Sequence, residues 1–164
     1  MDCCNIKKHE ICEVDNKEQH SCPQCGSKSK KVSTLTIRYM VKGEFQTEVD
    51  EKASYRFCLS PTCSVVYFAE NKRLILTKDH LSRRVTIKES HDPIPICYCF
   101  NFFRHDVEEQ IKATGKTTIS EFISAQVKAG NCLCERTNPQ GTCCLGNVSF
   151  VVKAVLKKET SYAK

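Results

Sequence analysis

The sequence has no tryptophan and only two methionines. No apolar run approaches the roughly 18 residues that a bilayer span requires, so no membrane span is expected. The opening residues, Met-Asp-Cys-Cys-Asn-Ile-Lys-Lys-His-Glu, lack the apolar segment and the small-residue cleavage site of a secretion signal. The expected location is therefore cytoplasmic. There is no internal repeat and no low-complexity tract. His9, His20, His80, His91 and His105 are scattered, and no His-x-x-x-His or His-Glu-x-x-His pattern joins them. A nucleophile elbow, a glycine-rich phosphate loop and paired carboxylates are missing as well. Hydrolase and kinase chemistry have no support, and an enzyme is not expected. The net charge is +6, but apart from Lys28, Lys30 and Lys31 the basic residues are dispersed, with no basic–aromatic stripe. Nucleic acid is not an expected partner.

What the sequence does have is cysteine, 13 in 164 residues. In a reducing compartment such a number points to metal ligands rather than disulfides, and the odd count agrees. The need for metal is physical. Apolar residues make up 40% of the chain, and two small units of this composition would each have a thin core needing a staple.

The hydrophobic pattern changes character near residue 90. Residues 32–41 read as a strand or short helix, and Ser54–Phe57, Ser64–Phe68, Arg73–Leu76 and Arg84–Ile87 read as short strands. Residues 91–96, His-Asp-Pro-Ile-Pro-Ile, cannot be helical, because each proline restricts its predecessor. Helical spacing then takes over. Phe103, Val107 and Ile111 share a face and end at Gly115; Thr118-Ile-Ser-Glu121 has the form of a capping box before Ile119, Phe122, Ile123 and Val127. Gly130 stops that helix, a loop of Asn, Pro and Gly follows, and a last helix is expected from about Cys144. The expected fold class is α+β. A mobile arm (1–20) would precede a β-rich zinc-binding module (21–90) and a short-helix 2Fe–2S module (91–160).

Cys22-Pro-Gln-Cys25-Gly26 is a knuckle whose two-residue gap lets both sulfurs face one ion. Cys58 and Cys63 follow, with 32 residues between Cys25 and Cys58. Four thiolates so spaced match a closed tetrahedral Zn²⁺ site with a folding role. Rubredoxin-type iron fits less well, because the second pair has a longer gap, and unliganded cysteines are the bland alternative. His20, two residues before Cys22, reads as a solvated side chain.

In the second half, Cys97 and Cys99 are followed, after another 32 residues, by Cys132, Cys134, Cys143 and Cys144. This spacing resembles that of bacterioferritin-associated-ferredoxin-like domains, which carry a 2Fe–2S cluster on four thiolates, two per iron. Six cysteines compete for four places. A second zinc site and a dithiol redox site are the alternatives. Tyr98, Phe100, Phe102 and Phe103 surround the first pair and read as core.

Four segments together, Ser-Cys-Pro-Gln-Cys-Gly (21–26), Phe-Cys-Leu-Ser-Pro-Thr-Cys-Ser-Val-Val-Tyr-Phe (57–68), Pro-Ile-Cys-Tyr-Cys-Phe (95–100) and Gly-Asn-Cys-Leu-Cys-Glu-Arg-Thr-Asn-Pro-Gln-Gly-Thr-Cys-Cys-Leu-Gly (130–146), resemble the N-terminal domain of archaeal CopZ-type copper chaperones. The resemblance spans roughly residues 20–156 and implies one zinc and one 2Fe–2S cluster. It implies Cys97 and Cys99 as cluster ligands with one cysteine from each later pair. Family likeness favours Cys134 and Cys144; simple spacing to the first pair favours Cys132, and Cys132 and Cys143 stay as alternates. Full-length members of that family add a heavy-metal domain with a Met-x-Cys-x-x-Cys motif, which does not occur in these residues. Cys3, Cys4 and Cys12 offer soft ligands for Cu(I) instead. The expected role is an electron-transfer or metal-handling module in copper homeostasis, able to reduce Cu(II) to Cu(I). A heavy-metal-domain copper chaperone or a copper ATPase is the implied partner. The alternatives are a cluster-based redox sensor and a zinc-ribbon binding module.

Overall fold

The structure, a computed structural model, describes residues 20–162. The arm expected over 1–20, with Cys3, Cys4 and Cys12, lies outside the described residues except for His20. The chain is α+β. Its first half is an antiparallel sheet, in spatial order β1 (Ser29–Val32), β2 (Tyr55–Cys58), β3 (Val65–Ala69) and β4 (Ile75–Thr77). Register puts Ser29 opposite Cys58, Phe57 opposite Tyr67, and Tyr67 opposite Leu76.

The segment 32–41, readable as strand or helix, divides between the two at Ser33. The Ser33 hydroxyl accepts from Thr36 N at 3.2 Å and caps α1 (Thr34–Met40). Buried Ile37 and Met40 on α1 then pack with Val32, Tyr55, Phe57, Val66, Tyr67 and Leu76 in the main core. β3 is buried throughout. While Val66, Tyr67 and Ala69 join that core, Val65 and Phe68 join a smaller cluster with Cys22, Cys58 and Cys63.

The strand expected over Arg84–Ile87 is absent; a 3-10 turn occupies Thr86–Lys88. Its polar groups bond outside any ladder. Thr86 N meets the Tyr98 hydroxyl at 3.0 Å, and Thr86 Oγ1 donates to Pro95 O at 2.7 Å. Local β propensity loses here to tertiary hydrogen bonds.

The second half opens with a hairpin of β5 (Pro95–Cys97) and β6 (Phe102–Phe103). Helix α2 (Arg104–Thr114) ends at Gly115, whose φ of 74° gives the left-handed stop. Helix α3 (Ile119–Lys128) follows, but the expected capping box does not form. Thr118 makes no side-chain cap, and Thr117 Oγ1 accepts from Ile119 N at 3.3 Å instead. A one-turn helix α4 (Cys134–Thr137), which periodicity is too short to reveal, precedes the long α5 (Leu145–Tyr162). Ile96, Val107, Ile111, Ile119, Ile123, Val148 and Val155 form the second core, together with Cys97 and Cys144.

The halves are also tied across a seam where α1 meets α4. The Tyr67 hydroxyl donates to Pro139 O (2.5 Å), Thr36 Oγ1 to Glu135 O (2.7 Å), and Lys30 Nζ to Thr142 Oγ1 (2.7 Å). The Arg136 guanidinium lies 5.5 Å from the Tyr39 ring centroid. Among the described residues no helix is long and apolar enough to cross a membrane.

Candidate metal centres

The Cys22–Ser27 turn is closed by Gly26 N to Cys22 O (2.8 Å) and Cys22 N to Ser27 O (2.9 Å). Gly26 takes a φ of 67°, a conformation that glycine adopts without strain. The turn sits directly before β1. Leu59 N reaches Lys28 O at 3.1 Å, which extends the β1–β2 pairing and brings Cys58 to the turn. Cys63 arrives from the loop that enters β3. The Cys22 and Cys63 sulfurs are 3.9 Å apart, the Cys25 and Cys58 sulfurs 3.7 Å, and all four lie within 4.8 Å of one another. A tetrahedron with metal–sulfur bonds of about 2.3 Å has edges of about 3.8 Å, so the donor set fits Zn²⁺.

Burial pushes the Cys58 thiol up to about 12, and burial likewise raises Cys63. A hydrogen bond with the Ser27 side chain brings the exposed Cys25 down to about 6. One cation is buried beside this group. Lys88, 6% exposed, donates to Ser60 O at 2.8 Å and Cys63 O at 3.2 Å, and its ammonium lies 5.8 Å from the Phe57 ring centroid.

The second constellation gathers at the seam. Cys99, Cys132 and Cys134 place their sulfurs within 4.8 Å of one another, with Cys99 and Cys134 3.7 Å apart. Buried Cys97 and Cys144 lie in the same core cluster beside this group. Interaction with Cys144 lowers Cys97 to about 6, and interaction with Cys97 raises Cys144. Burial raises Cys134 to about 12 and also raises Cys132. Cys143 is exposed at the rim. Of the four residues favoured by family likeness, Cys99 and Cys134 thus come together with the alternate Cys132, while Cys97 and Cys144 are buried in the adjoining core.

The elements that position these thiols are specific. Cys97 ends β5, and Cys99 lies in the hairpin turn. Cys134 opens α4, and Cys144 sits at the head of α5, where its carbonyl accepts from Val148 N at 3.0 Å. Between α4 and α5, the buried Asn138 folds the loop upon itself. Its Nδ2 donates to Thr142 O (2.7 Å) and its Oδ1 accepts from Gln140 N (2.9 Å). Gly141 takes a φ of 64°, and a Cβ there would lie 2.9 Å from Thr36 Oγ1. A polar hydrogen also reaches sulfur: Leu133 N donates to Cys99 Sγ at 3.3 Å, while the Thr137 hydroxyl, 3.1 Å from that sulfur, donates to Leu133 O at 3.0 Å.

Lys88, Thr137 and Asn138 carry no signal in the sequence that marks them as site residues. Only Asn138 stands in a run, Asn-Pro-Gln-Gly-Thr-Cys-Cys-Leu-Gly, unusual enough to draw notice. His20 is exposed, and its carbonyl accepts from the Ser29 hydroxyl.

Comparison with known proteins agrees with this geometry. Residues 19–82 match the zf_CopZ family, a zinc binding domain. The chain is 32% identical over 123 residues to the copper chaperone CopZ of Archaeoglobus fulgidus, an alignment covering 75% of this chain and 57% of that protein. It thus spans little more than half of that relative's length. The X-ray structure of the Archaeoglobus fulgidus CopZ N-terminal domain superposes with a TM-score of 0.66 at 29% identity, covering 80% of this chain and 96% of that one. Together with the four-cysteine geometry, these likenesses place residues 19–82 among CopZ-type zinc binding domains and make the chain a homologue of the Archaeoglobus CopZ N-terminal domain.

Proposed function

We propose that this chain is a metal-handling module of copper homeostasis. In this reading Cys22, Cys25, Cys58 and Cys63 hold a structural Zn²⁺, and Cys97, Cys99, Cys134 and Cys144 hold a 2Fe–2S cluster. It acts as a carrier rather than an enzyme. The observation that carries the reading is the gathering of thiols at the second site. Cys99 and Cys134, 3.7 Å apart, and the buried neighbours Cys97 and Cys144 come from a hairpin, a helical turn and the head of a long helix. Four soft donors are what a two-iron cluster needs.

A bound cluster would supply one-electron chemistry at this place. The chain's own residues set the conditions. Leu133 N puts a hydrogen-bond donor at the Cys99 sulfur, which favours the reduced state. Buried Cys97 and Cys144 sit on the core side, whereas Leu133 is 60% exposed and Cys143 is open to solvent. The site therefore has a solvent-facing rim that a partner can approach. A single electron given to Cu(II) yields Cu(I), the form that soft thiolate carriers bind. The likeness to a copper chaperone supports a copper-transport partner, such as a heavy-metal-domain chaperone or a copper ATPase.

The test is an anaerobic preparation in which iron and zinc are counted on one sample and EPR is recorded after reduction. The expected outcome is about two irons and about one zinc per chain, with an S = 1/2 signal. Two zincs and no iron, even after anaerobic cluster reconstitution, would overturn the redox reading and leave a zinc protein.

A further inference from the structure

Lys88 is a buried cation with no ordinary counter-charge. Its side chain comes from the 3-10 turn Thr86–Lys88, outside the strand, turn and loop that carry the four cysteines. Among the described residues no carboxylate pairs with it. Two carbonyl oxygens accept from its ammonium, Ser60 O and Cys63 O, and both belong to the Cys58–Cys63 loop. Burying an ammonium is costly unless charge of opposite sign lies close by. Four thiolates around Zn²⁺ leave a net charge of about −2, and Lys88 acts electrostatically on Cys58.

From this arrangement we infer that Lys88 is the positioning and neutralising residue of the four-cysteine site. It holds the Cys58–Cys63 loop closed through two carbonyls and offsets the thiolate charge from the buried side. This inference rests on the reading of Cys22, Cys25, Cys58 and Cys63 as zinc ligands. It also gives the buried lysine a link to the second half. Thr86, two residues earlier, bonds Tyr98, which lies between Cys97 and Cys99. The turn 86–88 therefore touches both constellations.

The test compares zinc release from the full chain, wild type against Lys88→Met, Lys88→Gln and Lys88→Arg, with a chromogenic chelator under reducing conditions. Methionine fills the space over Phe57 without charge. Glutamine keeps a donor for the carbonyls and loses only the charge, so it serves if the methionine variant does not fold. Release from the uncharged variants is expected to be about ten- to a hundredfold faster, the usual range for partners lying just outside a metal site. Lys88→Arg should return the rate toward wild type, which a purely space-filling role would not produce. Equal release rates for wild type and the uncharged variants would overturn the inference while leaving the zinc reading intact. A wild-type chain without zinc would instead remove that reading.

Discussion

The Tyr67 hydroxyl, in the middle of the sheet, donates a 2.5 Å hydrogen bond to the carbonyl of Pro139, in the loop between α4 and α5. Tyr67 is fully buried, and burial holds its pKa well above the ordinary tyrosine value, so the donor keeps its proton. Replacing it as Tyr67→Phe leaves a buried carbonyl without a partner. The expected cost is about 1–3 kcal/mol in chemical denaturation. A variant as stable as wild type would show that the seam does not depend on this bond.

Gly141 and Gly146 should respond to alanine with opposite signs. At Gly141 the φ of 64° and the contact of 2.9 Å with Thr36 Oγ1 both penalise a side chain. Gly141→Ala should lose about 1–3 kcal/mol. Gly146 lies within α5 with open space around it, and Gly146→Ala should gain about 0.5–1 kcal/mol through helix propensity. Thermal melts of the two variants side by side distinguish them.

Cys58→Ser removes a fully buried thiol from the four-thiol group. Zinc content should fall toward zero, and the sheet should lose cooperativity, because metal binding and folding are coupled in such sites. Cys143→Ser, at an exposed position outside the favoured set, should leave zinc unchanged. Metal analysis with near-ultraviolet circular dichroism checks both.

Asp92 supplies a pH prediction. A hydrogen bond from Arg104 holds its carboxyl below the ordinary carboxylate value. A depressed folded pKa means that the stabilisation is present above the unfolded value of about 3.9 and is lost as pH falls through the folded one. Below about pH 4 the wild type should therefore lose stability more steeply than Asp92→Asn. Parallel acid limbs in urea melts would show that the pair contributes nothing.

Much of this fold is readable from pattern alone. The strand candidates Ser54–Phe57 and Ser64–Phe68 match real strands to within one residue, and Gly115 marks a real helix end. The pattern misleads where local preference is overruled from a distance. Thr86 looks like part of a strand, yet its hydrogen bonds go to Tyr98 and Pro95. Thr118 has the sequence of a helix cap, yet Thr117 makes the bond. At the metal centres, cysteine spacing reveals which residues are candidates, because two-residue and one-residue gaps have geometric meaning. It cannot reveal Lys88, since a lysine 25 positions after Cys63 looks like any surface charge until the chain folds back.

The ties across the seam also impose an order in time. Thr36 and Tyr67 leave the ribosome long before Glu135 and Pro139, whose carbonyls they bind. The sheet can be finished while the later cysteines are still being synthesised. It then presents the Thr36 and Tyr67 hydroxyls as ready-made donors against which the 134–144 segment can settle.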